Sequence, residues 1–325
     1  MRLFAGLALL VLLLFLAALV IGPAAIGPGD SLRALVLDDG GPVTLVMREI
    51  RLPRALLAVM IGAGLGLAGA AMQGYLRNPL ADPGLIGVSG SAALGAVIAL
   101  QTGLAAAALL ALPLSALAGA MIGVTLILAL AGPRGGSLTL ILAGIAISAL
   151  AGALTSLVLN LSPNPFAANE IVFWMMGSLA DRSMTHVWLA LPLILAGGLA
   201  LALQGRALDA LTLGEDAAEA MGVNLTRLRL MLVFGTAAVV GASTAVAGAI
   251  GFIGLVVPHL LRGFVGARPG RLLWASALGG AAMLLAADIA VRLVLPDRDL
   301  KLGVLTALVG APLFLHLIYR TRRGA

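Results

Sequence analysis

The chain has 325 residues, 61% of them hydrophobic and only 10% charged, with a mean hydropathy of +1.13. A soluble domain is nearer half apolar and a quarter charged, and so few charges cannot clothe a soluble surface of this size, which excludes a soluble enzyme. Apolar runs of about 17–25 residues match the ~30 Å of hydrocarbon that a membrane helix crosses, and 4% aromatic content with 42 glycines favours closely packed helices over a β-barrel with aromatic girdles.

Ten spans are predicted. The first, Leu3 to Gly22, exceeds a signal-peptide h-region and shows no small-x-small cleavage site, so it reads as a membrane helix. A polar segment from Pro28 to Arg51 follows, holding Asp30, Asp38, Asp39, Glu49 and three arginines, Arg33, Arg48 and Arg51. The next spans run from Leu52 to Tyr75, Gly84 to Gln101, Ala105 to Leu130 and Leu138 to Asn160. Residues 162–182 are too polar to span; Ile171, Phe173, Trp174, Met175 and Leu179 predict a short interfacial helix. The sixth span is His186 to Gln204, and the charged stretch 206–227 separates it from Leu230 to Ala249. Gly251 to Val265, Leu272 to Val291 and Gly303 to Tyr319 complete the set.

An even number of spans puts both termini on one side. That face collects twelve arginines, including Arg134, against eight basic residues, including Arg298, on the other. The terminal face is therefore expected to be cytoplasmic. This punctuating pattern, rather than a nucleic-acid surface, accounts for the basic excess. Shifting the sequence by 179 positions aligns Gly62-Ala63 with Gly241-Ala242, Ala68-Gly69-Ala70 with Ala247-Gly248-Ala249, and Pro79 with Pro258. The expected organisation is one transmembrane domain, 1–325, of two five-helix halves (1–160 and 186–325) related as an inverted repeat. Within the second span Gly62, Gly66, Ala70 and Gly74 recur every four residues, a stripe for close helix packing.

Residues that could do chemistry are few. There is no cysteine, and the single lysine, Lys301, does not follow a glycine-rich phosphate loop, so no P-loop ATPase is present. Asp288 is the only acid well inside a run, with Arg292 four residues on, a spacing that lets the two neutralise each other. His186, His259 and His316 lie near span ends without ligand-like spacing, so capping rather than metal binding is expected. Gly214 to Gly222 reads as a short helix with Glu215, Asp216 and Glu219 and a terminal glycine, small enough in its side chains to fit a groove on another protein.

The Asp216-Ala217-Ala218-x-x-x-Gly222 pattern resembles the loop by which ABC importer permeases dock on their ATPases. Arg51-Leu52-Pro53-Arg54, Gln73, Asn78 to Gly84, Gly87-Val88-Ser89, Gly251 to His259, Ala287-Asp288-Ile289, Gly303 to Thr306 and Gly310-Ala311-Pro312 resemble the FecCD family, permeases of type II ABC importers for cobalamin, haem and ferric siderophores. The resemblance covers nearly the whole chain in order. It implies an all-α homodimer in the inner membrane, two copies of a separate ATPase that binds ATP and Mg, a periplasmic substrate-binding protein, and no cofactor or metal in this chain. It further implies binding-protein docking at Arg51, Arg54 and Arg292, ATPase coupling through Glu215, Asp216, Ala217, Ala218 and Gly222, and a cytoplasmic gate at Asn78, Leu80, Ser137 and Leu138, with Gly135-Gly136 as its joint. Asp216 stands where the family usually has Glu. An iron chelate, haem or ferric siderophore, is the expected substrate, with cobalamin the alternative; a proton-coupled carrier using Asp288 is the competing class.

Overall fold

The computed structural model describes the chain except residues 25, 38–39, 109, 133–135, 163–164, 295–299 and 324–325; the side chains of 85–86, 137, 165–167, 170, 316–318 and 320–323 also lie outside the description. The described residues form helices, turns and loops, with no strand among them. In chain order the helices are α1 (Arg2–Val20), α2 (Pro28–Val36), α3 (Pro42–Tyr75), α4 (Val88–Gln101), α5 (Ala111–Ala131), α6 (Ser137–Asn160) and α7 (Pro165–Met175). Then come α8 (Met184–Ala202), α9 (Gly205–Leu211), α10 (Glu215–Ala220), α11 (Leu225–Ala247), α12 (Ile253–Arg262), α13 (Pro269–Val294) and α14 (Leu302–Arg323).

Seven of these, α1, α3, α5, α6, α8, α11 and α13, are long and apolar enough to cross a membrane. Shorter apolar helices, Val88–Gln101, Ile253–Val265 and Leu302–Leu315, stand where the third, eighth and tenth spans were expected. Length therefore supports seven crossings, and the count of ten rests on sequence. Two boundaries differ from expectation. The long helix of the fourth span begins at Ala111 instead of Ala105, because the single turn Leu104–Ala107 ends at Ala108, whose backbone is extended at φ −150°, ψ 134°. The polar segment before the second span is itself largely helical: α2 starts on Pro28, and α3 starts on Pro42, ten residues before the expected Leu52. Pro53 does not interrupt α3, because Val46–Arg51 is a π-helical turn in which the Leu52 N–H bonds to the Met47 carbonyl. The wider turn absorbs the hydrogen bond that proline cannot make.

Helix α3 lies at the centre of the bundle. It packs chiefly on α13, and also on α12, α8 and α11. Its glycine stripe explains how. A Cβ on Gly62 would collide with the Gly280 carbonyl of α13, one on Gly66 with the Ser276 carbonyl, and one on Gly69 with the Gly254 carbonyl of α12. The backbones touch directly, the contact that small residues permit where lipid supplies no hydrophobic drive. Gly95 and Gly119 do the same between α4 and α5. Gly74, the last of the stripe, is looser: its Cβ would sit 3.4 Å from the Pro269 Cβ. The interfacial helix is present as α7, with Ile171 buried, Phe173 exposed, and the Lys301 ammonium 5.3 Å from the Phe173 ring centre. Gly62 and Gly241 occupy long central helices in both halves, but Pro79 lies in the turn after α3 whereas Pro258 lies inside α12, so that pair in the 179-residue alignment has no structural counterpart.

Gly66→Ala forces α3 and α13 apart and is expected to cost about 1–3 kcal/mol as an overpacked contact; Gly74→Ala, facing an ordinary contact, should be close to neutral. Thermal unfolding in detergent compares the two, and equal midpoints would refute the direct backbone contact.

Candidate docking, gate and coupling sites

At the end where α1 stops and α3 starts, three arginines surround one acid. Arg51 ends the π turn of α3 and is only 3% exposed. Its Nη1 donates to the Leu19 and Val20 carbonyls at 3.0 and 2.8 Å, and its Nη2 to the Ala24 carbonyl at 2.6 Å. Arg292, near the end of α13, donates from Nη1 to the Ala18 and Ile21 carbonyls at 2.8 and 3.0 Å. These are the carbonyls that the C-terminus of α1 leaves unpaired, at the negative end of its dipole, and guanidinium forks suit them in both charge and geometry. Asp288 is fully buried one turn before Arg292; one carboxylate oxygen accepts from Arg292 Nη2 and the other from Arg54 Nε at 2.8 Å.

The structure thus brings the three sequence-predicted arginines together, but with unequal exposure. Arg51 and Arg292 are buried and spent on the α1 carbonyls. Arg54 keeps 18% of its side chain exposed, and only its Nε is engaged by a described residue. Asp288 has both oxygens occupied by guanidinium N–H groups, one from Arg54 and one from Arg292. Arg48 caps the neighbouring helix in the same manner, donating to the Ala34 and Leu35 carbonyls of α2 at 3.2 and 3.1 Å. The excess of arginine in this segment has a concrete use.

At the opposite end of α3 the chain closes the helix with Arg77 in the left-handed region, φ +48°, where its Asn78 N–H reaches back to the Gln73 carbonyl at 3.2 Å. The exposed Asn78 side chain accepts from the Leu80 N–H at 2.9 Å, and Asp82 accepts from the Gly84 N–H at 2.7 Å, capping a 3-10 turn at Pro83–Ile86. Burial raises the Asp82 carboxyl above its ordinary range, opposed by the Gly84 hydrogen bond. This predicted gate loop packs on α6: a Cβ on Gly87, φ +74°, would stand 2.9 Å from the Gly144 carbonyl. Leu80 is half-buried, and Leu138, in the first turn of α6, is 67% exposed. The joint expected at Gly135 and the side chain of Ser137 lie outside the described residues.

Gln73 ties this end of α3 to α12. Pro258 has no N–H, which strips α12 of the bond that the Gly254 carbonyl would otherwise receive. Gln73 Nε2 fills the gap, donating to the Leu255 carbonyl at 3.1 Å and reaching the Gly254 carbonyl at 3.5 Å, while its Oε1 accepts from Arg262 Nη2 at 2.9 Å.

The predicted coupling segment is a hairpin of α9 and α10. Glu215, Asp216 and Glu219 are exposed, Ala217 is half-buried, and Ala218 is fully buried among Leu208, Leu211 and Leu228. Helix α10 ends in a Schellman motif: the Val223 N–H bonds to the Ala218 carbonyl and the Gly222 N–H to the Glu219 carbonyl, with Gly222 at φ +86°. The outer surface left by this fold carries the acids flanked by Leu213 and Met221, 69% and 64% exposed. Sequence reading missed Asp209, whose Oδ1 accepts from the Gly270 N–H at 2.8 Å and so caps α13 from α9. The partners are 61 residues apart, and no local pattern announces such a cap. His186 does cap its helix, its Nδ1 accepting from the Ser183 N–H; the His316 side chain lies outside the described residues.

Comparison with known proteins places this arrangement. The model of the FecCD transport family matches residues 9–320, and the chain belongs to that family. It is 41% identical to the hemin transport system permease protein HmuU of Yersinia pestis, over 96% of this chain and 95% of that one. It is 40% identical to the vitamin B12 import system permease protein BtuC of Salmonella typhi, over 98% and 95%. A solved structure of a metal-chelate type ABC transporter in an inward-facing conformation superposes with a TM-score of 0.87 at 33% identity, covering 98% of this chain and 99% of that chain. This protein is accordingly an integral membrane permease of the ABC importer class, the non-enzymatic transport subunit of such a system.

Two substitutions test the site geometry. Asp288→Asn leaves Arg54 and Arg292 facing an amide and should destabilise the protein by about 3–5 kcal/mol, as loss of one member of a buried ion pair does; a midpoint in thermal unfolding equal to wild type would refute the cluster. Gln73→Leu strands the Gly254 carbonyl, which Pro258 leaves without a helical donor, and the Arg262 guanidinium, at about 1–3 kcal/mol, and hydrogen exchange at the start of α12 should rise with it.

Proposed function

We propose that this chain forms, as a homodimer with two copies of an ABC ATPase, the pathway by which a bulky iron chelate, haem or a ferric siderophore, enters the cell. Cobalamin is the alternative cargo within the same importer class, and the near-equal identities to HmuU and BtuC leave the two cargoes level on sequence. The observation that carries the reading is the match of family and structure over almost the full chain. The expected division into halves, the inner-membrane location and the cytoplasmic termini belong to the same proposal.

Three local features support it. The acid-led surface of α10, held rigidly by Ala218 and the Gly222 motif, suits a groove on the ATPase, which supplies ATP and Mg binding. The arginine cluster suits acidic side chains of a periplasmic binding protein; Arg54 offers the exposed guanidinium edge, and Arg51 and Arg292 hold the ground beneath it. Helix α6 turns Leu142, Ile145, Leu150, Leu154 and Leu157 outward, 38–58% exposed, an unpartnered apolar face that suits the wall of a wide pathway shared with a second copy. The gate at Asn78, Leu80, Ser137 and Leu138 would close its inner end.

Reconstitution decides the matter. Vesicles holding this chain, its ATPase and its binding protein should accumulate the iron chelate only with ATP, and accumulation by this chain alone under a proton gradient would overturn the reading. Ala218→Arg, which dislodges α10, should abolish uptake while the ATPase still hydrolyses ATP. Arg54→Glu should slow association of the binding protein by about tenfold, the effect of reversing a charge at an interface rim. Competition between haem, ferric siderophore and cobalamin on ATPase stimulation identifies the cargo.

A further inference from the structure

Away from these sites, a cavity of about 390 Å³ lies where α4 ends, α5 and α8 begin and α11 stops. Leu100, Leu112, Pro113 and Val246 give it apolar walls. Its polar lining is Trp174 from the end of α7, with Asp181, Arg182 and His186 at the entry to α8. Arg182 Nε and Trp174 Nε1 are both buried with no hydrogen-bond partner. Arg182 makes no hydrogen bond to any described residue, and Asp181 acts on its charge only at a distance. Because His186 Nδ1 accepts from the Ser183 N–H, its Nε2 is left carrying the proton as a further donor. Arg182 is half-buried, and its Nε–H, buried without an acceptor, is costly unless an anion answers it; burial holds Arg182 below its ordinary value.

Asp181 lies on the other side of this chemistry. It is exposed, sits at φ +56° and forms no ion pair with Arg182. The cavity therefore presents buried N–H donors and, at its mouth, a carboxylate. Four helix ends meet at its level, which is where these spans leave the hydrocarbon. Large apolar side chains are exposed within two residues of its lining: Leu114 on α5 is 50% and Trp188 on α8 is 64% accessible. A tryptophan at a span end marks the headgroup level, and such a rim faces acyl chains rather than a soluble protein.

We infer that this cavity is a phospholipid site that selects a headgroup carrying both phosphate and ammonium, as in phosphatidylethanolamine. The phosphate takes the Arg182 guanidinium and the Trp174 indole N–H, with the N-terminus of α8 behind them. The ammonium reaches Asp181, and the acyl chains run down past Leu114 and Trp188.

Native mass spectrometry of the full chain in detergent, titrated with equal phosphatidylethanolamine and phosphatidylglycerol, tests this. Wild type should retain the ethanolamine lipid in preference, and Arg182→Gln or Trp174→Phe should each weaken retention about tenfold, the order expected for losing one charge-assisted hydrogen bond. Asp181→Asn should leave retention intact and erase the preference between the two lipids. If Arg182→Gln fails to fold, Trp174→Phe carries the test, and Arg182→Lys should restore most binding. Unchanged retention in both donor variants overturns the site, and a wild-type preference for phosphatidylglycerol overturns the headgroup assignment. Displacement of the lipid by millimolar inorganic phosphate makes it a free-anion site. Weaker association of the binding protein in Trp174→Phe, with lipid retention unchanged, assigns the donors to a protein partner; either of these two results refutes the inference.

Discussion

The constraint on which this structure depends is that a backbone carbonyl left over at a helix end inside or near a bilayer has no water to bond. The chain answers with side-chain donors sent from other helices. Arg51 and Arg292 close α1, Arg48 closes α2, Arg229 donates to Gly132 just past α5 at 2.8 Å, and Gln73 reaches the Gly254 carbonyl that Pro258 frees in α12. Each donor comes from an element other than the one it caps, so each cap is also a tertiary tie. For α1 this matters most: of its residues only Ala18 and Leu19 are buried. The two arginines that take its last carbonyls therefore fix its end to α3 and α13 where packing supplies little.

Backbone contact does the rest of the holding. With Gly62, Gly66 and Gly69 pressed on carbonyls of α13 and α12, α3 cannot slide or rotate without losing contacts made atom to atom. The bundle around it is a rigid block. By contrast, α6 buries a single line of residues, Leu140, Ala143, Ile147, Ala151 and Thr155, and leaves its other faces open. The gate loop rests on this less committed helix, so freedom to move and the predicted gate coincide.

Much of this was legible in the sequence. Apolar run lengths gave the long helices, the four-residue glycine stripe foretold the close approach of α3, and Asp288 with Arg292 at i,i+4 foretold their pairing. The terminal glycine of α10 was legible as well, because a Schellman motif needs a residue that accepts positive φ. What the sequence hid shares one property, which is distance along the chain. Nothing near Arg51 says that its guanidinium belongs to Leu19 and Val20, and nothing near Asp209 says that it caps Gly270. The helical character of Pro42 to Arg51 was hidden for another reason: its polar composition set the start of the span at Leu52, where a π turn carries the helix through. Of the three arginines read first as docking contacts, Arg51 and Arg292 are buried donors to the end of α1, and Arg54 is the most exposed.

The distribution of acids then bears on where energy enters. Asp288, the acid deepest in a span, has both oxygens bound to arginines, whereas Glu215, Asp216 and Glu219 stand exposed on α10. The acid deepest in a span is thus spent on holding helices together. In the proposed importer the work arrives at a surface instead. Helix α13 shows how it could be received without loss. Its first turn is capped by Asp209 of α9, next to α10, and its far end carries Asp288 and Arg292, which grip α1 and Arg54. Over 26 residues the helix spans about 39 Å at 1.5 Å per residue. It is pinned by charged hydrogen bonds at both ends and by glycine contact along its middle. A displacement imposed at the hairpin of α9 and α10 meets no slack element before it reaches the arginine cluster, and two faces of the membrane that share no sequence motif are joined by one rod.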